Sequence, residues 1–226
     1  MDDDLVRRAP LFAALDDSAA AALRASMAQV TVPRGDVIFA EGESGDRMFL
    51  VLEGKVKLGQ TSSDGREQVM AVLGSGEMFG ELSLFDPGAR TSTATAVTDA
   101  ILLALGQRDL RPWLTGRPEV AEALLQALAQ RLRRTNEAMA DLVFSDVPGR
   151  VAKALLELSE KFGEEQPDGS RLVAHDLTQE ELAQLVGASR ETVNKSLADF
   201  AQRGWLRLEA RAVILLDVER LERRAG

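Results

Sequence analysis

Leu177-Thr178-Gln179-Glu180-Glu181-Leu182-Ala183-Gln184-Leu185-Val186-Gly187-Ala188-Ser189-Arg190-Glu191-Thr192-Val193-Asn194-Lys195-Ser196-Leu197 reads as helix, tight turn, helix. Ala183 is small enough to sit where two helices cross, and Gly187 falls where the turn needs a positive φ. Ser189 is placed to cap the second helix, its hydroxyl accepting an otherwise orphaned backbone N–H. Arg190, Glu191 and Lys195 then project from roughly one face of that helix. This is the layout of a DNA-reading helix-turn-helix, whose second helix enters the major groove N-terminus first.

Downstream, Trp205-Leu206-Arg207-Leu208 and Ala212-Val213-Ile214-Leu215-Leu216 are spaced for a small hairpin, a wing. Upstream, Gly163–Ser170 reads as a polar loop and Arg150–Phe162 as a helix. Phe144-Ser145-Asp146-Val147-Pro148-Gly149 precedes it as a hinge, where Pro148 suits a first helical turn and Asp146 a cap. Before the hinge, Pro118 opens a helix reaching about Val143, which would span roughly 40 Å. Leu124, Leu125, Leu128, Leu132, Thr135, Met139 and Leu142 recur along it at three- and four-residue steps. Such a stripe either packs on the neighbouring domain or forms a coiled-coil seam with a second copy. A long helix between two domains has few other ways to bury it, which favours the seam and a homodimer.

From Val30 to about Leu105 the texture is different. Short apolar runs, 37–39, 48–52, 56–58, 68–73 and 101–105, are separated by glycine-containing turns, including the hairpin loop Ser62-Ser63-Asp64-Gly65. The spacing predicts a β-sandwich, barrel or jelly roll. Residues from about Leu5 to Met27 carry helical spacing, with Leu11, Phe12, Leu15 and Leu23 as a stripe and Asp16-Asp17-Ser18 as a helix start. The expected fold class is thus α+β. A β-roll or jelly-roll sensor domain over 1–117 comes first, then a dimerisation helix over 118–145 and a winged helix-turn-helix over 146–226.

Composition narrows the function classes. The 226 residues are 45% hydrophobic and contain no cysteine, which removes disulfides, thiolate metal sites and Fe–S clusters. No apolar run is long enough to span a membrane, and the acidic start Met1-Asp2-Asp3-Asp4 is unlike a secretory signal. A cytoplasmic protein is expected. The net charge of −9 speaks against nucleic acid at first sight. Even from Asp146 onward there are 15 acidic and 12 basic residues, although Ser189–Arg211 is locally positive. The motif, not the charge, carries DNA binding. An enzyme is not expected: cupin-like β-folds need several histidines for a metal, and this chain has only His175, placed just before the helix-turn-helix as a boundary hydrogen-bonder.

Within the β-region, Gly80-Glu81-Leu82-Ser83-Leu84-Phe85-Asp86-Pro87-Gly88-Ala89-Arg90-Thr91-Ser92 concentrates polar chemistry. Gly80 lets a ligand approach the backbone, and Glu81 suits a sugar hydroxyl. Leu82 and Ser83 can offer N–H groups to an anion, Arg90 can meet a phosphate with its fork, and Thr91 adds a hydroxyl. On spacing alone Glu81 and Arg90 could equally pair with each other across a hairpin.

Taken with the helix-turn-helix 178–197, this segment resembles the phosphate-binding cassette of the cyclic AMP receptor protein family, the CRP/FNR regulators. The resemblance runs from roughly Leu11 to Leu221, and 146–152 and 186–195 are closest to the actinobacterial branch. It implies a homodimer with cyclic AMP as allosteric ligand, double-stranded DNA carrying a TGTGA-N6-TCACA-like palindrome as target, and RNA polymerase as partner. It implies Glu81 on the ribose 2′-hydroxyl, and Arg90 on the cyclic phosphate with Thr91 and the backbone of Leu82 and Ser83. Gly80 would permit the approach. Thr135 would meet the adenine from its own subunit and Asn136 from the partner, although a polar pair there would also serve register alone. In the reader, Arg190 would contact guanine and Glu191 a cytosine amine. Lys195 stands where some relatives carry Arg, and Ser189 and Thr178 would contact phosphate. Two other readings stay open: the same architecture answering another effector or binding DNA without one, and a nucleotide-binding interaction module that no longer reads DNA.

Overall fold

The computed structural model describes Ala9, Phe12, Leu15–Asp86 and Gly88–Gly226, so Leu5 and Leu11 of the N-terminal stripe lie outside the described residues. Two compact units divide the chain: residues 1–60 with 71–134, and residues 61–70 with 135–226.

The first unit opens with α1, Asp17–Ala25, capped as the sequence suggests by Asp16, whose carboxylate accepts from the Ala19 N–H at 2.9 Å. Eight strands follow among the described residues: β1 Ala28–Val32, β2 Val37–Phe39, β3 Arg47–Glu53, β4 Val56–Thr61, β5 Glu67–Leu73, β6 Met78–Phe79, β7 Thr93–Ala96 and β8 Ala100–Gly106, with the last residue of β4 and the first four of β5 counted in the second unit. The one-turn helix α2, Leu82–Phe85, lies between β6 and β7. The strands build two four-stranded sheets, ordered β1-β8-β3-β6 and β2-β7-β4-β5. Antiparallel registers such as Leu50↔Leu103 and Leu58↔Ala94 fix the pairing. This is the expected jelly roll.

The register explains why β3 reads as an unbroken apolar run. Phe49 and Val51 face the space between the sheets, with Phe39, Phe79, Val56 and Leu58. Met48, Leu50 and Leu52 face the other way, against Phe12, Leu23 and Leu110. A strand buried on both faces loses its period-two signature. Five elements of this unit escape the sequence reading: β1, β7 and α3, together with the short β6 and the one-turn α2. β1 and β7 are short, and β7 presents only Ala94 and Ala96 to the core. Helix α3, Gln107–Gly116, carries an internal Pro112 and buries only Leu110.

Helix α4, Pro118–Phe144, has the predicted extent. Its first turns bury Val120, Ala123 and Leu124 in the sensor core, so Leu124 belongs to packing rather than to the stripe. Of the rest of the stripe, Leu128 is half-buried and the other members are exposed: Leu125 is 65% exposed, Leu132 62% and Met139 63%. These three are spaced by seven, with Leu128, Thr135 and Leu142 each three residues on.

The second unit contains α5 Val147–Phe162, the hairpin β9 Gly163–Glu165 and β10 Arg171–Val173, α6 Gln179–Val186, and α7 Arg190–Gln202. The wing β11 Leu206–Glu209 and β12 Ala212–Leu215 and the closing helix α8 Val218–Ala225 complete it. The stretch expected to be a polar loop at 163–170 is therefore part of a hairpin. Pairing of Leu172 with Ile214 recruits it into a sheet ordered β11-β12-β10-β9, a long-range contact that no local pattern announces. The hinge narrows to Ser145 and Asp146 between α4 and α5. Asp146 caps α5 by accepting from the Gly149 N–H at 2.9 Å.

Candidate functional site

In the first unit the strand–turn–helix around β6 and α2 brings the cassette together. Gly80 has φ +76°. A Cβ there would come within 2.8 Å of Arg90 Nη1, so the glycine is what lets the guanidinium lie against the backbone. Glu81 is 4% exposed and Arg90 5%. They do not pair with each other. Arg90 donates from Nη1 to Gly80 O at 2.7 Å and from Nη2 to Arg47 O at 2.7 Å, with its guanidinium carbon 4.1 Å from the Phe39 ring centroid. Burial shifts the guanidinium toward deprotonation, opposed by the Asp46 carboxylate; its intrinsic value leaves it charged at any physiological pH.

Glu81 Oε1 accepts from Arg131 Nη1, on α4, at 2.7 Å. Among the described residues, Glu81 Oε2 and Arg90 Nε are buried without a hydrogen-bond partner. A buried acceptor and a buried donor left unmatched are costly, and the two line one small cleft of about 20 Å³ with Ser83, Thr91 and Leu58. Ser83 is buried and Leu82 exposed, both in the first turn of α2, whose leading N–H groups have no intrahelical acceptor. Thr91 is exposed, and its carbonyl accepts from Gln60 Nε2 at 2.7 Å.

Two residues of this site were not singled out from sequence. Arg131 stands in an Arg-rich run of α4 and reaches Glu81 across 50 positions. Gly45 stands where a Cβ would lie 2.6 Å from both Arg90 Nε and Ser83 Oγ. Thr135 and Asn136 fall in the second unit on the exposed stretch of α4. Among the described residues no cluster of metal-ligating side chains occurs, and no helix is long and apolar enough to cross a membrane.

The second unit realises the helix-turn-helix through its caps. Thr178 and Glu181 form a reciprocal capping box at the start of α6, with Thr178 Oγ1 accepting from Glu181 N at 3.1 Å and Glu181 Oε2 accepting from Thr178 N at 2.8 Å. Gly187 ends α6 in the left-handed region at φ +71°. Ser189 caps α7, its Oγ accepting from Thr192 N at 3.2 Å. Arg190, Glu191 and Lys195 are exposed on α7, and Lys195 Nζ lies 2.9 Å from Glu191 Oε1, one turn away. Val193, Leu197 and Phe200 form the buried face opposite. His175 is buried with Nδ1 accepting from Leu177 N at 3.1 Å, a boundary hydrogen bond as expected.

One further residue organises the reader. Arg150, on α5, donates to three carbonyls: Ser145 O at 2.8 Å, Val186 O at 3.1 Å and Gly187 O at 3.3 Å. It therefore ties the end of α4 to the end of α6. Arg224 of α8 grips both oxygens of Asp146, at 2.6 and 2.7 Å, and with the Gly149 N–H holds that carboxyl below the usual carboxylate range.

Residues 29–115 match the cyclic nucleotide-binding domain family and residues 149–224 the Crp-like helix-turn-helix domain. Over 223 residues, 99% of each chain, the sequence is 55% identical to the CRP-like cAMP-activated global transcriptional regulator of Mycobacterium tuberculosis. A solved CRP/FNR-family transcriptional regulator from Thermus thermophilus superposes with a TM-score of 0.74 at 33% identity, over 88% of this chain and 98% of that one. FixK2 from Bradyrhizobium japonicum shares the fold, with a TM-score of 0.81 at 23% identity over 88% and 98% of the two chains. With a sensor cassette, a capped reader and relatives of this closeness over its whole length, the chain belongs to the CRP-like family of transcription regulators, which are not enzymes.

Proposed function

We propose that the chain is a cyclic AMP-responsive regulator that acts as a homodimer on a TGTGA-N6-TCACA-like palindrome. One observation carries the ligand. Glu81 Oε2 needs a donor and Arg90 Nε needs an acceptor, and both are buried in the same cleft. A molecule with a sugar hydroxyl beside an anionic oxygen supplies both at once, and a nucleoside cyclic phosphate is such a molecule. Glu81 takes the 2′-hydroxyl. Arg90 takes the phosphate with Thr91 and the N–H groups of Leu82 and Ser83, and Gly80 keeps the backbone close. Because the cleft holds only about 20 Å³, Arg90 or Arg131 must swing aside on entry. Thr135 and Asn136 are proposed base contacts, the second in the partner subunit.

The heptad spacing of exposed Leu125, Leu132 and Met139 supports a coiled-coil pairing of α4 with a second copy, with Thr135 as its polar interruption. In the reader, Arg190 takes a guanine fork, Glu191 a cytosine amine, and Lys195 a point contact. Ser189 and Thr178 take phosphates. Two readers about 34 Å apart match a palindrome with one duplex turn between half-sites. Contact with RNA polymerase and a cytoplasmic location complete the proposal.

The Arg131–Glu81 ion pair and the small cleft favour one second reading, a regulator that binds DNA without this ligand or answers another effector. Fluorescence anisotropy of a labelled palindrome, with and without cyclic AMP at one fixed salt, separates the two. Binding that sharpens with cyclic AMP supports the first reading, since a ligand shifts an equilibrium only by its differential affinity for the two states. Equally tight binding without it supports the second. Absence of specific binding in both conditions refutes the operator.

A further inference from the structure

Beside the base-facing residues of α7, one side chain of α6 holds a shared hydrogen bond. Gln179 Oε1 accepts from Asn194 Nδ2 at 3.2 Å and from Arg190 Nη2 at 3.4 Å. The chemistry of the partners fixes the orientation of both amides. A guanidinium has only donors, so the Gln179 atom facing Arg190 is oxygen. That oxygen in turn requires Asn194 to present its NH2 group. Arg190 and Asn194 are one turn apart on the recognition helix, at i and i+4. One acceptor on the neighbouring helix therefore holds both of them.

We propose that Gln179 is the positioning residue of the DNA reader: it holds the guanidinium plane of Arg190 ready for a guanine edge and fixes Asn194 beside it. The physical need is plain. An exposed arginine has several freely rotating bonds to fix when its fork meets two acceptors in one plane, and an anchor made before docking reduces that loss. The contacts are long enough to yield when the fork engages DNA. Among the described residues Lys195 has no comparable anchor from α6, and it pairs instead with Glu191 on its own helix. Arg190 is thus the member of the reading set that the scaffold orients from outside α7. This inference rests on the guanine-reading role proposed for Arg190.

The test uses the full-length protein with saturating cyclic AMP and three labelled duplexes: the palindrome, the palindrome with the half-site guanines changed to adenine, and an unrelated sequence. Gln179→Met keeps the bulk and removes the acceptor. Affinity for the palindrome is expected to fall roughly fivefold, part of what a full bidentate contact discriminates, while affinity for the unrelated duplex and the melting temperature stay unchanged. Preference for guanine over adenine falls with it. In an Arg190→Ala background, Gln179→Met has no further effect on the preference for guanine, because no guanidinium fork remains to be positioned. Gln179→Asn, whose acceptor sits one methylene short, recovers little.

Equal losses on specific and unrelated DNA would make Gln179 a phosphate contact and overturn the proposal. So would a further loss of guanine preference in the Arg190→Ala background, or no loss at all in the wild-type background. If Arg190→Ala itself left the guanine preference intact, the reading role of Arg190 would fall first, and the positioning role with it.

Discussion

Arg150 offers the sharpest test of how the reader is held. Its guanidinium meets Ser145 O, Val186 O and Gly187 O, carbonyls that close α4 and α6 and have lost intrahelical donors. Hydrogen bonds from a charged donor contribute about 1.5–3 kcal/mol each when buried. With the side chain half-buried and one bond at 3.3 Å, about 1 kcal/mol each is a reasonable scale, or about 3 kcal/mol together. Arg150→Met keeps the aliphatic stem and a similar helix propensity, so the loss reports the guanidinium. Trp205, stacked on Phe200 with ring centroids 5.3 Å apart, is a fluorescent reporter inside the second unit, and Trp113→Phe removes the other tryptophan. Urea unfolding in that background should move to a midpoint lower by roughly 1.5–2 M, for a slope of about 1.5–2 kcal/mol per M. Arg150→Lys, a point donor that reaches fewer of the three carbonyls, should fall between. An unchanged midpoint in Arg150→Met would refute the account, because three carbonyls at two helix ends would then be equally well served by water.

Three further outcomes follow from single contacts. Asp146 has its carboxyl lowered by Arg224 and by the Gly149 N–H, so its contribution is complete above the unfolded carboxylate range and lost as pH falls through the lowered folded value. Asp146→Asn keeps the cap and drops the charge pair, so the Trp205 midpoint should fall at neutral pH and lose part of its dependence below about pH 4. Gly187→Ala must adopt φ +71° with a Cβ 3.0 Å from Leu142 Cδ2, which should destabilise the second unit by about 1–2 kcal/mol in the same urea assay; Gly187→Asn should lose less. Gly45→Ala would press a methyl group on Arg90 Nε and Ser83 Oγ, and calorimetric titration should show cyclic AMP affinity reduced about tenfold or more.

The reader was legible because its chemistry is local. Thr178, Glu181, Gly187 and Ser189 each act within four residues of themselves, through a cap, a box or a left-handed turn, and local acts leave local spelling. The long helix was legible through its period, and the jelly roll through runs broken by glycine. What stayed hidden depends on partners far away in sequence. Arg131 reads as one of several arginines until β6 brings Glu81 beside it. Gly45 reads as a turn glycine until Arg90 and Ser83 fold over it. The β9–β10 hairpin reads as a polar loop because its pairing with β12 joins residues some forty positions apart. Leu124 and Leu125 are adjacent and both apolar, yet one faces the sensor core and the other is exposed; the register of a helix on its neighbours is set by packing, not by composition.

The charge balance shows which physics the reader relies on. A net charge of −9 gives DNA no general attraction, and the acidic residues near the reader are largely engaged. Glu181 holds the α6 cap, Glu191 pairs with Lys195 at 2.9 Å, Asp199 with Arg203 at 2.8 Å and Glu209 with Arg207 at 3.2 Å. Exposed pairs of this kind contribute little to stability, but each removes a cation from the field that would gather phosphates without regard to sequence. Non-specific affinity grows with the number of phosphates neutralised. A reader whose cations are internally paired therefore gives up non-specific hold, and a larger share of its affinity has to come from contacts other than phosphate neutralisation. On this argument the acidic character of the chain is compatible with DNA reading and raises the ratio of specific to non-specific binding.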